Sequence, residues 1–171
     1  MFKPIIYSDM KHNLKYLAPA AAVTTLFLVG CGDDDTVAAA DYPCEGTTGN
    51  EALLGGSWQL TKENDVTVIG SEFTDEDGEK YTYSLVYAFE CGGDFDIRQV
   101  LIYTNDPNPL VYEYEGSWDF TSADGTIGID WTNDFNEEYE WDFEIESVSQ
   151  TALKGKLYAE GDTTLQEFKK I

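Results

Sequence analysis

Between Glu138 and Glu146 the chain alternates without a break, with Tyr139, Trp141, Phe143 and Ile145 set between Glu138, Glu140, Asp142, Glu144 and Glu146. In an extended chain successive side chains point to opposite faces. This segment therefore puts rings and aliphatics on one face and carboxylates on the other, the signature of a half-buried strand. Tyr81, Tyr83, Leu85, Tyr87 and Phe89 repeat the pattern against Thr82, Ser84, Val86 and Ala88. Tyr112, Tyr114, Trp118 and Phe120 do so against Glu113, Glu115 and Asp119, with Gly116 read as a bend or bulge, and Ile127, Ile129 and Trp131 continue it. No segment has a convincing helical period, and β-branched and aromatic residues dominate the runs.

Turn signals separate the runs: Asn64-Asp65, Asp77-Gly78, Gly92-Gly93, Asn105 to Pro109, Asp124-Gly125, Asn133-Asp134 and Gly161-Asp162. Connections this short favour hairpins, giving an antiparallel meander of roughly eight or nine strands, and leave no room for parallel crossovers. Such a meander removes its exposed edges by closing. The expected fold is all-β, an antiparallel up-and-down β-barrel of 8–9 strands over residues 51–171.

Ahead of this domain, Leu17 to Gly30 form an apolar run of about 14 residues, shorter than the ~20 that a membrane-spanning helix needs. Lys11 and Lys15 precede it, Ala20, Ala21 and Ala22 lie within it, and Leu28-Val29-Gly30-Cys31 ends it. This pattern resembles the lipobox of a bacterial lipoprotein signal peptide. The resemblance implies a signal peptide over residues 1–30, cleavage before Cys31, and acylation of that cysteine. Two or more acyl chains hold a protein on a membrane where one does so only marginally. An ordinary secretory signal with an incidental cysteine is the alternative. Met10-Lys11-His12-Asn13 opens a leader of more usual length than Met1 does. Residues 31–50 are small, polar and acidic, as in a flexible tether. Within them Asp33-Asp34-Asp35 resembles a signal for export to the outer cell surface, and reads equally as a solvated linker. The expected location is the outer membrane, on its periplasmic or cell-surface face.

Without Lys3, Lys11, Lys15 and Asp9 the remaining chain holds 32 acidic and seven basic residues, a formal charge of −25 against −23 for the whole. That sign argues against nucleic acid, whose binding needs cations to displace counterions. It also repels anionic headgroups, leaving the acyl anchor to do the membrane work. The only histidine, His12, lies in the leader. The domain thus lacks the usual general base, triad partner and commonest zinc ligand, so no catalytic residue, metal or cofactor is expected. With Cys31 lipidated, Cys44 and Cys91 remain as a pair in an oxidising compartment, either bridged or as two separate thiols. A bridge would close a loop of about 47 residues and contribute ~4 kcal/mol on the chain-entropy model.

Gly56-Ser57-Trp58-Gln59-Leu60-Thr61 returns as Gly116-Ser117-Trp118-Asp119-Phe120-Thr121, by internal duplication or, as we read it, as a recurrent strand start. Glycine-x-tryptophan on the first strand resembles the lipocalin (calycin-type) signature, in particular the lipocalin-like domains of bacterial lipoproteins. Leu53-Leu54-Gly55 before it, Phe89-Glu90-Cys91 followed by Gly93-Asp94-Phe95, and a terminal Phe168-Lys169-Lys170 fit the same resemblance. It implies a barrel with Gly56 allowing a bend, Trp58 closing one end, and Lys169 or Lys170 covering that ring by a cation–π contact in place of the usual arginine.

Past residue 30 the chain carries 20 aromatic residues. Tyr83, Tyr87, Trp118, Trp131 and Trp141 either line a pocket for a small apolar or aromatic ligand or fill the lumen as core. Asp75-Glu76-Asp77-Gly78-Glu79 reads as a solvated hairpin tip rather than a calcium loop, lacking EF-hand spacing. Paired carboxylates can hydrolyse glycosides, but no two acids stand out here. Arg98 reads as an ion-pair partner of Asp96 or a cross-strand glutamate rather than a ligand contact. The expected function is non-catalytic: a lipid-anchored cell-envelope barrel binding a small apolar or aromatic molecule. The alternative is a surface protein-interaction or structural module with a side-chain-filled barrel and no ligand.

Overall fold

The computed structural model describes residues 49–122 and 125–171. The leader, the Leu28–Cys31 lipobox, the acidic run after it and Cys44 lie outside the described residues. A short helix, α1 (Asn50–Leu54), leads into ten strands: β1 (Gly56–Glu63), β2 (Val66–Thr67), β3 (Phe73–Thr74), β4 (Lys80–Phe89), β5 (Asp94–Tyr103), β6 (Asp106–Phe120), β7 (Thr126–Thr132), β8 (Glu138–Val148), β9 (Ala152–Ala159) and β10 (Asp162–Lys170). Neighbouring strands from β4 to β10 pair antiparallel, and β1 closes the ring by pairing with both β10 and β4. Eight strands, β1 and β4–β10, make the wall of a closed up-and-down barrel.

The alternation read from the sequence is what closes it. On β4 the odd positions Tyr81 to Phe89 are buried and the even ones are not; β8 buries Trp141, Phe143 and Ile145. Turn chemistry then sets the register. Asn64 and Asp65 both take positive φ in the two-residue β1–β2 turn, and Glu160 and Gly161 do the same between β9 and β10. Such turns match the twist of the strands they join.

Four features depart from the sequence reading. Helix α1 occupies the start of the domain, five residues being too few to show a period. Pro107 and Pro109 lie inside β6 rather than in a loop. There β6 outruns its neighbour, since β7 pairs only with Gly116–Phe120, and a strand edge without a ladder partner tolerates proline. Gly116 is not a bulge: it pairs in register with Phe95 and Trp131, and a Cβ on it would collide with the Asp130 carbonyl and Trp131. Finally, the second Gly-Ser-Trp motif ends a strand rather than starting one.

The two motifs nonetheless converge on one end of the barrel, which we call the floor. β1 leaves the floor and β6 runs down to it. Trp58, fully buried, donates its indole N–H to the Leu54 carbonyl at 2.6 Å, docking α1 beneath the barrel. Trp118 donates to the Glu90 carbonyl at 3.1 Å and packs edge-on against Phe89. Lys170 provides the expected cover, its Nζ 5.5 Å from the Trp58 ring centre.

Candidate functional site

The opposite end of the barrel is built differently. β1 and β4 pair only at Gly56–Gln59 with Val86–Phe89, then part. The gap is bridged by β2 against the end of β1 and β3 against the start of β4. Val68 is buried in that connection, and the Phe73 ring lies 5.0 Å from Tyr83 and 5.9 Å from Tyr81.

At this end a bulge decides which charge enters the barrel. By parity from Trp58 and Leu60, Lys62 would face inward. The β1–β10 register shifts between Leu60 and Lys62, so Lys62 projects outward to Glu167 at 2.8 Å and Glu63 turns in. Bulges re-aim side chains in this way. Glu63 is 5% exposed. Its carboxylate accepts a hydrogen bond from the Tyr83 hydroxyl at 3.0 Å and one from Gln166 Nε2 at 3.4 Å. Burial raises its pKa above the ordinary carboxylate value, and the two donors oppose that shift. Tyr83 and Tyr87 are pushed well above the usual phenol range, chiefly by burial, with Glu63's charge adding to both. The Gln166 amide partly offsets the rise at Tyr87.

Two glutamines stand among the apolar inward positions: Gln99 between Ile97 and Leu101 on β5, and Gln166 between Thr164 and Phe168 on β10, each 1% exposed. The Oε1 atoms of both lack hydrogen-bond partners, as do the indole N–H groups of Trp131 and Trp141. Those two tryptophans form a second aromatic group with their neighbours. Trp131 stacks on Tyr139 at 4.3 Å and 11°, meets Trp141 edge-on at 5.0 Å, and contacts Tyr114 at 4.9 Å.

The five aromatic residues expected to share a lining are thus divided. Tyr83 stands at Glu63, Tyr87 lies deeper against Phe95 and Phe168, Trp131 and Trp141 belong to the β7–β8 group, and Trp118 is bound into the floor. Glu63, Gln99 and Gln166 were not picked out from sequence. Gln99 interrupts the apolar alternation of Phe95, Ile97 and Leu101 and was detectable on that signal; Gln166, next in parity to Thr164, and Glu63, beyond a bulge that parity counting cannot see, were not.

Where β6 outruns β7, the outer wall is indented. One open concavity of about 510 Å³ is lined by Asp96, Arg98, Glu113, Tyr114 and the Thr132–Asp134 turn. Another of about 430 Å³ lies beside it along Glu115, Asp130, Trp131, Tyr139 and Glu140. Arg98 pairs across the strands with Glu113 at 2.9 Å, as expected of an exposed ion pair. Asp75 caps its own turn, accepting from the Asp77 and Glu79 backbone N–H groups at 2.9 Å.

No family model matches the chain, and no curated protein matches it. Among solved structures, it is similar to a lipocalin-like protein from Bacteroides uniformis at 22% identity, with 69% of this chain and 98% of that chain covered and a TM-score of 0.42. A de novo designed fluorescence-activating β-barrel is similar at 14% identity over 70% of this chain and 94% of that one, with a TM-score of 0.37. Fatty-acid-binding protein 1 of Echinococcus granulosus is similar at 13% identity over 70% and 98%, with a TM-score of 0.32.

Proposed function

We propose that this chain is a lipid-anchored protein of the cell envelope, held on the outer membrane through Cys31, whose barrel binds one small, largely apolar or aromatic molecule without transforming it. The observation that carries the reading is a set of four buried polar atoms without partners among the described residues: Gln99 Oε1, Gln166 Oε1, Trp131 Nε1 and Trp141 Nε1. Each such atom costs ~1–3 kcal/mol when left unmade. Leucine, isoleucine or phenylalanine at the same inward positions would fill a barrel without that cost. Polar atoms kept at this cost are accounted for by a guest that satisfies them. Binding is favoured over catalysis because the sole histidine is His12, in the leader.

Native mass spectrometry of the domain purified from its host tests the reading. A retained molecule of a few hundred daltons supports it; a bare chain mass after gentle, detergent-free purification counts against it. The anchor is tested separately, by globomycin sensitivity and by loss of membrane fractionation in Cys31→Ser. A Cys44–Cys91 bridge belongs to the same proposal, and maleimide labelling of two thiols in the native, unreduced protein would remove it.

A second reading is an interaction module with a filled barrel. It is favoured by the ring contacts that run from Phe168 through Tyr87, Phe95 and Phe89 to Trp118, and by a strongly acidic outer wall on which Asp96 faces Glu115 and Asp130 faces Glu140. Like charges opposite one another weaken a sheet. Salt-sensitive binding to a polycationic partner, with no retained small molecule, would favour this module.

A further inference from the structure

The charge of the interior selects among guests. The seven basic residues of the described chain all lie elsewhere. Lys62, Lys80, Arg98, Lys154 and Lys156 are paired with outer-wall acids, Lys169 is exposed, and Lys170 lies across the floor tryptophan. Within the barrel, by contrast, stand the Glu63 carboxylate and two unpartnered amide oxygens, all on residues at least nine-tenths buried. Gln166 brings two of these together, since its Nε2 reaches Glu63 while its Oε1 stays unpaired. Glu63 is hydrogen-bonded by an uncharged phenol and an uncharged amide, which stabilise a buried carboxylate less than a cation does.

We propose that the guest is an organic cation or amine, an aromatic or aliphatic body bearing a hydrogen-bond-donating nitrogen that pairs with Glu63, and not a carboxylate such as a fatty acid. This rests on the ligand-binding reading above and narrows it. An ammonium or amidinium group brings several N–H donors and no acceptor, complementing a carboxylate that has the Gln166 amide beside it. The rings of Tyr83 and Tyr87 add faces that attract a desolvated cation. A carboxylate guest would meet Glu63 with like charge and find no interior cation among the described residues to offset it. The bulge between Leu60 and Lys62 is the determinant, because without it the same position would present a lysine and the preference would invert.

The test uses three probes with one ring system and different head groups: 2-(1-naphthyl)ethylamine, 2-(1-naphthyl)ethanol and 1-naphthylacetate. Each is titrated calorimetrically into the mature protein at neutral pH, in enough salt to screen the acidic exterior. The amine is expected to bind about tenfold or more tighter than the carboxylate, a difference of ~1.4 kcal/mol or more. In Glu63→Gln the amine should lose that advantage while the alcohol binds unchanged. Asp142→Asn, which removes one exposed outer-wall charge, should leave all three affinities in place. Tyr83→Phe supplies a second interior variant should Glu63→Gln fold poorly, and should change amine affinity more than alcohol affinity. An amine preference that survives in Glu63→Gln, or equal binding of amine and carboxylate, overturns the inference while leaving ligand binding intact. Failure of all three probes to bind counts against the ligand-binding reading itself, and the inference falls with it.

Discussion

Tyr83 donates its hydroxyl hydrogen to Glu63 across 3.0 Å inside the barrel, joining β4 to the bulged end of β1 where the two strands no longer pair. The contact couples a carboxylate whose pKa burial raises to a phenol whose pKa burial and that carboxylate raise further.

Glu63 therefore gives the fold a specific pH signature. Its folded-state pKa lies above that of the unfolded chain, so the native state binds the proton more tightly. The stability owed to this group is full below the ordinary carboxylate range. It falls as pH rises through that range to the folded pKa, and stays lost above it. Glu63→Gln carries no such proton. The variant should be more stable than wild type at neutral pH, with the gap narrowing as pH falls towards the unfolded carboxylate value. Tyr81, Tyr83, Tyr87 and Gln166, the groups around Glu63, are common to both proteins and cancel in the comparison. Urea unfolding of the pair across this range checks it; a gap that does not change with pH refutes it.

The tyrosines predict the alkaline limb. Burial, with help from Tyr103, Asp75 and Glu63, lifts Tyr81 to about 12, and Tyr83, Tyr87 and Tyr114 are pushed higher still. In the unfolded chain all four ionise near 10. Stability should fall once pH passes that value, because the unfolded state loses protons first. Phenolate absorbance should show these residues ionising together, in step with loss of the near-ultraviolet circular dichroism. Gradual ionisation with the tertiary signal intact would contradict their burial.

How much of this was legible depends on the kind of signal each residue carries. Period-2 alternation identified the inner faces of β4 and β8 residue by residue, because burial on one face of a strand leaves a direct mark on composition. The Gly-x-Trp motif and the terminal lysines located the floor, and Lys170 covers Trp58 as that motif implies. The second motif misled, because a local string carries no strand direction; Trp118 reaches the same floor from the far end of β6. Glu63 stayed hidden for a related reason. One inserted residue reverses the parity of everything after it, and the insertion is defined by the partner strand β10.

Two glycines set a stability ranking. Gly56 holds φ at 116°, a backbone state that side chains avoid, and a Cβ there would stand 2.9 Å from Lys170 Cε. Lysine can swing aside, so Gly56→Ala should cost mainly backbone strain, ~1–3 kcal/mol. Gly155 has no such outlet: its Cβ would stand 2.5 Å from both the Glu144 carbonyl oxygen and the Phe143 ring. Gly155→Ala should be the more damaging, at ~3 kcal/mol or above, since strand and ring must both move. Adding Lys170→Ala should not rescue Gly56→Ala. Rescue would show that contact with lysine, rather than backbone conformation, is what excludes a side chain there.

Gln99 offers the sharpest separation of stability from function. It lies on β5 between Leu85 of β4 and Tyr112 of β6 in register, 1% exposed, with its Oε1 unpartnered. Methionine has a similar length and flexibility, packs well in irregular cores, and brings no amide oxygen to desolvate. Removing an unmade acceptor relieves a cost of ~1–3 kcal/mol, of which lost amide contacts return a part. Gln99→Met should therefore raise the urea midpoint, by an amount corresponding to ~1 kcal/mol, with the unfolding slope unchanged. If the oxygen is kept for a guest, the same variant should bind the naphthylethylamine probe more weakly than wild type does. Stability bought at the expense of binding is the pattern expected of a side chain placed for function. A variant that gains stability with undiminished affinity would remove Gln99 from the site, and one that loses stability would show its amide to be part of the core.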